Sequence, residues 1–286
     1  MSSTAQSANS ANRARNFLWA TFFVMGISSM AWVPRIPEIK EQLNYGDGAF
    51  GFIILAGALG SVLGAQISGR AIHLIASRTF MRLTSITMSI GIYTMGSAHG
   101  SSTLVIGLLL TGLSFAALDV AANVQAMAIE KLTKARYMSS FHAMWSIGAF
   151  AVTLVGGILA RILTPSEHLK SLALIAFVCY QFTITWLLPA DLDGHKGEAH
   201  ESTDAKIPLF GKKVITLWAL GIGLMASFIP EAGIYDWSGI LLKEHMNVAK
   251  GATAAAATVY SLGMIVSRFL GDRWFERWGH QKTVQY

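Results

Sequence analysis

Charge is scarce in this sequence. Asp, Glu, Lys and Arg together supply 13% of 286 residues, while hydrophobic residues supply 53%. Soluble domains carry roughly 25% charged residues, so this composition points to a chain that resides in a bilayer. Cysteine is almost absent. The single thiol, Cys179, lies inside an apolar run, excludes an intrachain disulfide and reads as packing. No G-x-x-x-x-G-K-[ST] loop is present to bind a nucleotide, and no HExxH helix or nucleophile elbow to carry hydrolysis. Neither an ATP-driven pump nor an enzyme is expected, and no cofactor. The net charge of +6 could suggest nucleic acid. The basic residues fall in short clusters between apolar runs rather than along one stripe, so no nucleic-acid partner is expected.

What the sequence does contain is apolar length. A membrane helix needs about 20 predominantly apolar residues, and eight segments qualify: 17–34, 49–69, 80–98, 103–128, 138–162, 169–188, 213–235 and 252–271. The expected fold is therefore an all-α integral membrane protein with about eight transmembrane helices. Gly60 and Gly64 make a small-xxx-small step that admits a second backbone. Residues 1–16, rich in Ser, Ala and Asn, are expected to form a disordered tail. The apolar run behind Arg13 and Arg15 lacks a small-x-small cleavage site and reads as a retained first helix.

Loop charge sets orientation. With the N-terminus inside, 16 of the 22 Lys and Arg residues fall on the inner side, so the N-terminus is expected to be cytoplasmic. Residues 189–212 form the only long polar connection. It holds His195 and His200, but nothing there has ligand spacing in a rigid frame, so it reads as a solvated linker and no metal is expected.

An ungapped repeat appears at a shift of 203 residues. "IKEQLNYGDGAFG" from Ile39 matches "LKEHMNVAKGATA" from Leu242. Lys40–Glu41 align with Lys243–Glu244, Asn44 with Asn247 and Gly48 with Gly251; the same shift pairs Gly60 with Gly263 and Arg70 with Arg273. The seventh and eighth helices thus restart what the first two began. The expected organisation is a six-helix half over 17–188, the linker over 189–212, and an incomplete second half over 213–286.

With this repeat in place the chain resembles the major facilitator superfamily. Its loop pattern G-x-L-a-D-R-x-G-R-R is matched at Gly69 and Arg78, with His73, Leu74 and Ala76 departing from it. The second copy keeps Glu276, Arg277 and Gly279. "WVPRIPEIKEQL" (32–43) and "MSSFHAMWSIG" (138–148) resemble a subgroup of bacterial inner-membrane permeases. "LDVAAN" (118–123) resembles the acidic-x-x-x-Asn step of helix 4 in fucose–proton symporters, where the acid serves proton coupling. The acid of that family's first helix has no counterpart in residues 17–33. The resemblance implies a six-helix bundle followed by the first two helices of a second, in a family whose members have twelve. It also implies an inner-membrane transporter.

An ionised carboxylate inside a membrane costs several kcal/mol, so Asp119 is expected to face a cavity or a partner. Removal from water favours the neutral acid, as a proton-coupling group requires; a purely structural hydrogen bond is the other reading. Asn123 sits one turn on, able to bind solute, to fix the Asp119 side chain or to bridge helices. His142 and Trp145 share a face at the start of the fifth segment and offer an imidazole beside an aromatic surface. Glu231, Asp236 and Trp237 follow Pro230, reading as a cavity wall or as a helix emerging into water. Arg35 reads either as a cation at the loop edge or as a partner across the cavity for Asp119 or Glu231. Arg70, Arg78, Arg273 and Arg277 set orientation and, by the family pattern, clasp the two halves in gating.

The leading expectation is a secondary transporter that moves a small polar solute, sugar-like or an organic acid, together with protons by alternating access. The second is a truncated membrane protein, a sensor or a decayed carrier, that transports nothing. The lipid bilayer is the expected environment, and a further C-terminal segment or a second chain is expected to complete the cavity.

Overall fold

The computed structural model describes residues 2–193, 211 and 214–285, with side chains over 9–193, 211, 214–270 and 277–279. His195, His200 and most of the linker expected at 189–212 lie outside the described residues. Among the described residues ten α-helices follow in order: α1 (Ser2–Ser29), a short α2 (Ile36–Leu43), α3 (Asp47–Leu74), α4 (Ser77–Gly96), α5 (Ser101–Thr133), α6 (Met138–Leu159), α7 (Pro165–Thr185), α8 (Ile215–Ala232), a short α9 (Ser238–Glu244) and α10 (Ala255–Gln285). No strand occurs among the described residues. A bilayer offers no water to unpaired backbone groups, and helices satisfy these groups internally.

Helix α1 starts at Ser2, which corrects the disordered tail expected over residues 1–16. Alanine favours a helix, Ala11 and Ala14 are buried, and the Arg15 guanidinium donates to the Tyr137 hydroxyl at 3.0 Å. Seven stretches of the described chain are long and apolar enough to cross a membrane, one fewer than the sequence led us to expect. The exception is α4, which packs between α5 and α7 in the same bundle. Its Ser, Thr and Arg side chains lower its hydropathy, but the hydroxyls are satisfied locally. Thr84 donates to the Phe80 carbonyl at 2.9 Å, Ser89 to Ser85 at 3.0 Å and Thr94 to Ile90 at 2.8 Å.

Helix pairing follows the small residues. A Cβ at Gly60 would lie 2.3 Å from the Leu109 carbonyl oxygen, and one at Gly64 would lie 2.1 Å from that of Leu113, so α3 and α5 touch backbone to backbone. Helix α1 runs along α6, α5 and α7, and α10 joins the bundle through α6. Helix α8 has no buried residue.

The repeat is visible in backbone geometry. α2 and α9 are short helices at the same end of the bundle, the distal end, opposite the N-terminus. Asn44, which ends α2, has φ 53°, and its counterpart Asn247, three residues beyond α9, has φ 51°. Asparagine is among the few non-glycine residues that visit this left-handed region readily. The conserved spacing therefore encodes one chain reversal used twice.

Candidate functional site

A cavity of about 520 Å³ lies where α1, α5, α6, α8 and α10 converge. Asp119 enters it from the middle of α5, His142 and Trp145 from the first turns of α6, Glu231 from the end of α8, Asp236 from the turn after α8, and Arg268 from α10. Trp32, Phe115, Phe228 and Tyr235 add aromatic surface. A second cavity of about 230 Å³ adjoins it and shares Ser29, Met30, Trp32, Phe115 and Asp236.

Local sequence explains how α8 reaches this cavity. Pro230 carries no backbone N–H, and the helix loosens three residues later into a π-helical turn, Gly233–Trp237. Such turns re-aim side chains and recur at functional sites. Here Tyr235 and Asp236 turn inward, and the Tyr235 hydroxyl shares a 2.9 Å hydrogen bond with Ser261 of α10. Trp237 points away toward α3, where its ring lies 3.4 Å from the position a Cβ would take on Gly51. Of the three residues expected here, Glu231 and Asp236 line the cavity and Trp237 does not.

Asn123 serves the carboxylate rather than the cavity. Its amide donates to Asp119 Oδ2 at 3.2 Å and to the Asp119 carbonyl at 3.0 Å, and it is not part of the lining. His142 stands edge-on to Phe22, with ring centroids 5.3 Å apart. The Trp145 ring packs beside Phe115 at 6.4 Å, and its buried Nε1–H has no acceptor among the described residues.

Arg268 is the residue that sequence reading missed. It lies near the edge of the eighth segment, 252–271, where a cation counts among the inner-side charges. Its guanidinium donates to the His142 carbonyl at 2.7 Å and to Ser146 Oγ, and lies 5.5 Å from the Trp145 ring centroid. That placement is a cation–π contact in a low-dielectric site. Glu231 is close enough for the two charges to interact. The usable signal was the one that singled out Asp119, an ionisable group within an apolar run.

The gating set separates. Arg35 is fully buried and meets neither Asp119 nor Glu231. It donates to Glu38 at 3.0 Å, to His168 Nδ1 at 2.9 Å and to the Leu163 carbonyl at 3.1 Å, tying the elbow before α2 to the α6–α7 connection. Burial of a guanidinium demands such partners, and Glu38 stands one turn away to supply one. Arg70 is exposed at the end of α3, Arg78 is half-buried at the start of α4, and Arg277 is exposed on α10. The Arg273 side chain lies outside the described residues.

Residues 18–285 match the family model of the Major Facilitator Superfamily. A protein of Yersinia pestis described as an uncharacterised MFS-type transporter is 25% identical over 265 residues, covering 92% of this chain and 66% of that protein. An uncharacterised transporter of Sinorhizobium fredii is 29% identical over 263 residues, covering 91% of this chain and 67% of that one. The chain thus spans about two thirds of the length of these relatives. The crystal structure of a nucleoside transporter, a D323A mutant, superposes with a TM-score of 0.71 at 13% identity, covering 93% of this chain and 69% of that one.

Proposed function

The chain belongs to the major facilitator superfamily, and on that footing we propose that it acts as a secondary transporter coupling protons to the movement of a small polar solute. The observation that carries the reading is Asp119, a carboxylate on a membrane helix that faces a cavity formed by both repeats. Neutral, it costs little in a closed cavity; charged, it needs water or a cation. Alternating access supplies these two environments in turn, and so lets the group take a proton on one side and release it on the other.

The lining narrows the solute. Asp119, Glu231 and Asp236 contribute three carboxylates, against one guanidinium already bonded to His142 and Ser146. An organic anion would meet more repulsion than attraction. A sugar-like solute rich in hydroxyl donors suits these acceptors, and the indole and phenyl faces suit the apolar faces of a ring. Trp145 Nε1–H supplies a donor in need of an acceptor. The distribution of Lys and Arg supports a cytoplasmic N-terminus, and the bacterial relatives support the inner membrane.

Proteoliposomes carrying the full gene product test this reading. An imposed proton gradient should drive uphill accumulation of a neutral polyhydroxylated solute from a panel that also contains organic acids. Asp119→Asn should abolish accumulation and spare solute exchange. Unchanged gradient-driven accumulation by this variant would remove Asp119 from the coupling role.

A further inference from the structure

The repeated Lys-Glu dipeptide closes on itself. Lys40 of α2 pairs with Glu244 of α9, and Glu41 of α2 pairs with Lys243 of α9. Each residue thus bonds the oppositely charged member of the other copy, so the two pairs are reciprocal. A third pair, Lys250 with Glu38 at 3.2 Å, joins α2 to the turn beyond α9, and Lys40 is held from its own side by Asp47 at 2.6 Å. Glu38 is itself anchored by the buried Arg35, which bonds His168 at the start of α7. The distal ends of the two halves are therefore joined by three ion pairs with a rigid mount behind one of them.

We propose that these reciprocal pairs form a latch closing the distal end of the central cavity, and that opening it admits solute from that side. The proposal rests on the alternating-access reading above and names the residues that perform one of its steps. Position supports it. α2 and α9 sit beyond the cavity-lining ends of α1 and α8, so separating them opens the space above Ser29, Met30 and Asp236. Packing agrees: Gly239 of α9 stands against Pro37 of α2, and Gly251 lies so near Gly157 of α6 that no side chain fits between them. The chemistry also suits a gate. The side chains of Glu41 and Glu244 are 70% and 40% exposed, so water can take over either partner when the pairs separate. The Glu41–Lys243 pair, open to water on both sides, is individually weak. Lys40 and Glu38 are buried and hold the other two pairs more firmly, so the latch combines a readily broken pair with two firmer ones.

Glu41 with Lys243 is the pair to vary, since Lys40 also serves Asp47. In the full chain carrying Cys179→Ala, a reporter cysteine at Met30→Cys is alkylated by a membrane-impermeant maleimide added on the α2 side. Glu41→Lys or Lys243→Glu alone should raise the alkylation rate about two- to fivefold, the range of one exposed pair. The combined swap should return it to the native rate. Single reversals that leave the rate unchanged, or a swap as fast as either single, would overturn the proposal. Should a reversed variant fail to fold, Glu41→Gln or Lys243→Gln should raise the rate likewise, and the two together should raise it no further than either alone; fully additive effects would overturn the proposal. The chain without latch substitutions adds another, because raising KCl from about 0.01 M to 1 M shortens the Debye length from about 30 Å to 3 Å and should speed alkylation. Alkylation needs no solute flux. If it obeys the swap while uptake is absent, the transport reading falls and the latch stands. If it ignores the swap while uptake persists, only the latch falls.

Discussion

The guanidinium of Arg268 donates to the backbone carbonyl of His142 at 2.7 Å, binding α10 of the second half to α6 of the first inside the cavity. One cation thereby joins two helices, faces Trp145 and stands opposite Glu231. Removing it leaves the half-buried carboxylate of Glu231 without a nearby cation and the His142 carbonyl and Ser146 hydroxyl without their donor. Arg268→Ala should lower stability by about 1.5–3 kcal/mol, the scale of a charged hydrogen bond. Arg268→Ala with Glu231→Ala should recover part of that loss, giving a coupling of about 0.5–3 kcal/mol in a double-mutant cycle. Strictly additive melting shifts would show that the two side chains do not interact.

Trp145 and Asn123 separate solute contact from support. Trp145→Phe keeps the ring and removes the Nε1–H, so one hydrogen bond to solute is lost. That is about 0.5–1.5 kcal/mol, which should raise KM roughly two- to tenfold. The Asn123 amide donates to Asp119 and does not line the cavity, so Asn123→Ala should leave KM near its native value while reducing accumulation per proton gradient. Initial rates and steady-state accumulation, measured with the solute identified by the uptake panel, decide the matter. A tenfold KM effect at Asn123 would place that amide in the binding site after all.

Most of the fold was legible because a membrane helix announces itself by apolar length. The N-terminal turns of α1 were not legible, since an Ala/Ser-rich stretch has the composition of a tail until Tyr137 and the bundle give it partners. Asp119, Glu231, Asp236, His142 and Trp145 were legible as polar or aromatic groups within apolar runs. Arg268 carries the same signal more faintly, because a cation near the edge of an apolar run reads first as a loop charge. Trp32, Phe115, Phe228 and Tyr235 read like any aromatic residue on a membrane helix; only convergence in space makes them a wall.

Gln125 is an anchor for the ends of two other helices. It is fully buried on α5, donates to Ser77 Oγ at 2.8 Å and to the Leu188 carbonyl at 3.0 Å, and accepts from the Leu188 N–H at 3.0 Å. Ser77 in turn donates from both its hydroxyl and its N–H to Asp193, which fixes the start of α4. Gln125→Leu orphans the Leu188 backbone groups and should cost about 1–3 kcal/mol. The thermal midpoint should fall, with KM for solute unchanged. A variant as stable as the native chain would mean that water or a neighbouring group replaces the amide.

The repeat supplies its own control for close packing. Gly60 and Gly263 hold equivalent positions, but a Cβ on Gly60 would lie 2.3 Å from a backbone oxygen, whereas one on Gly263 meets nothing within 4 Å. Alanine is favoured over glycine in a helix by about 0.8–1.0 kcal/mol, so Gly263→Ala should be neutral or stabilising in the 286-residue chain. At Gly60 the same preference opposes a clash with main chain, which cannot swing aside as a side chain can. The α3–α5 pair must separate, and overpacking of this kind costs about 1–3 kcal/mol. Gly60→Ala should therefore lower the melting temperature and Gly263→Ala should not, as measured by thermal unfolding of the two variants in one detergent. Equal shifts would mean that α10 packs as closely as α3, and that a neighbour covers Gly263.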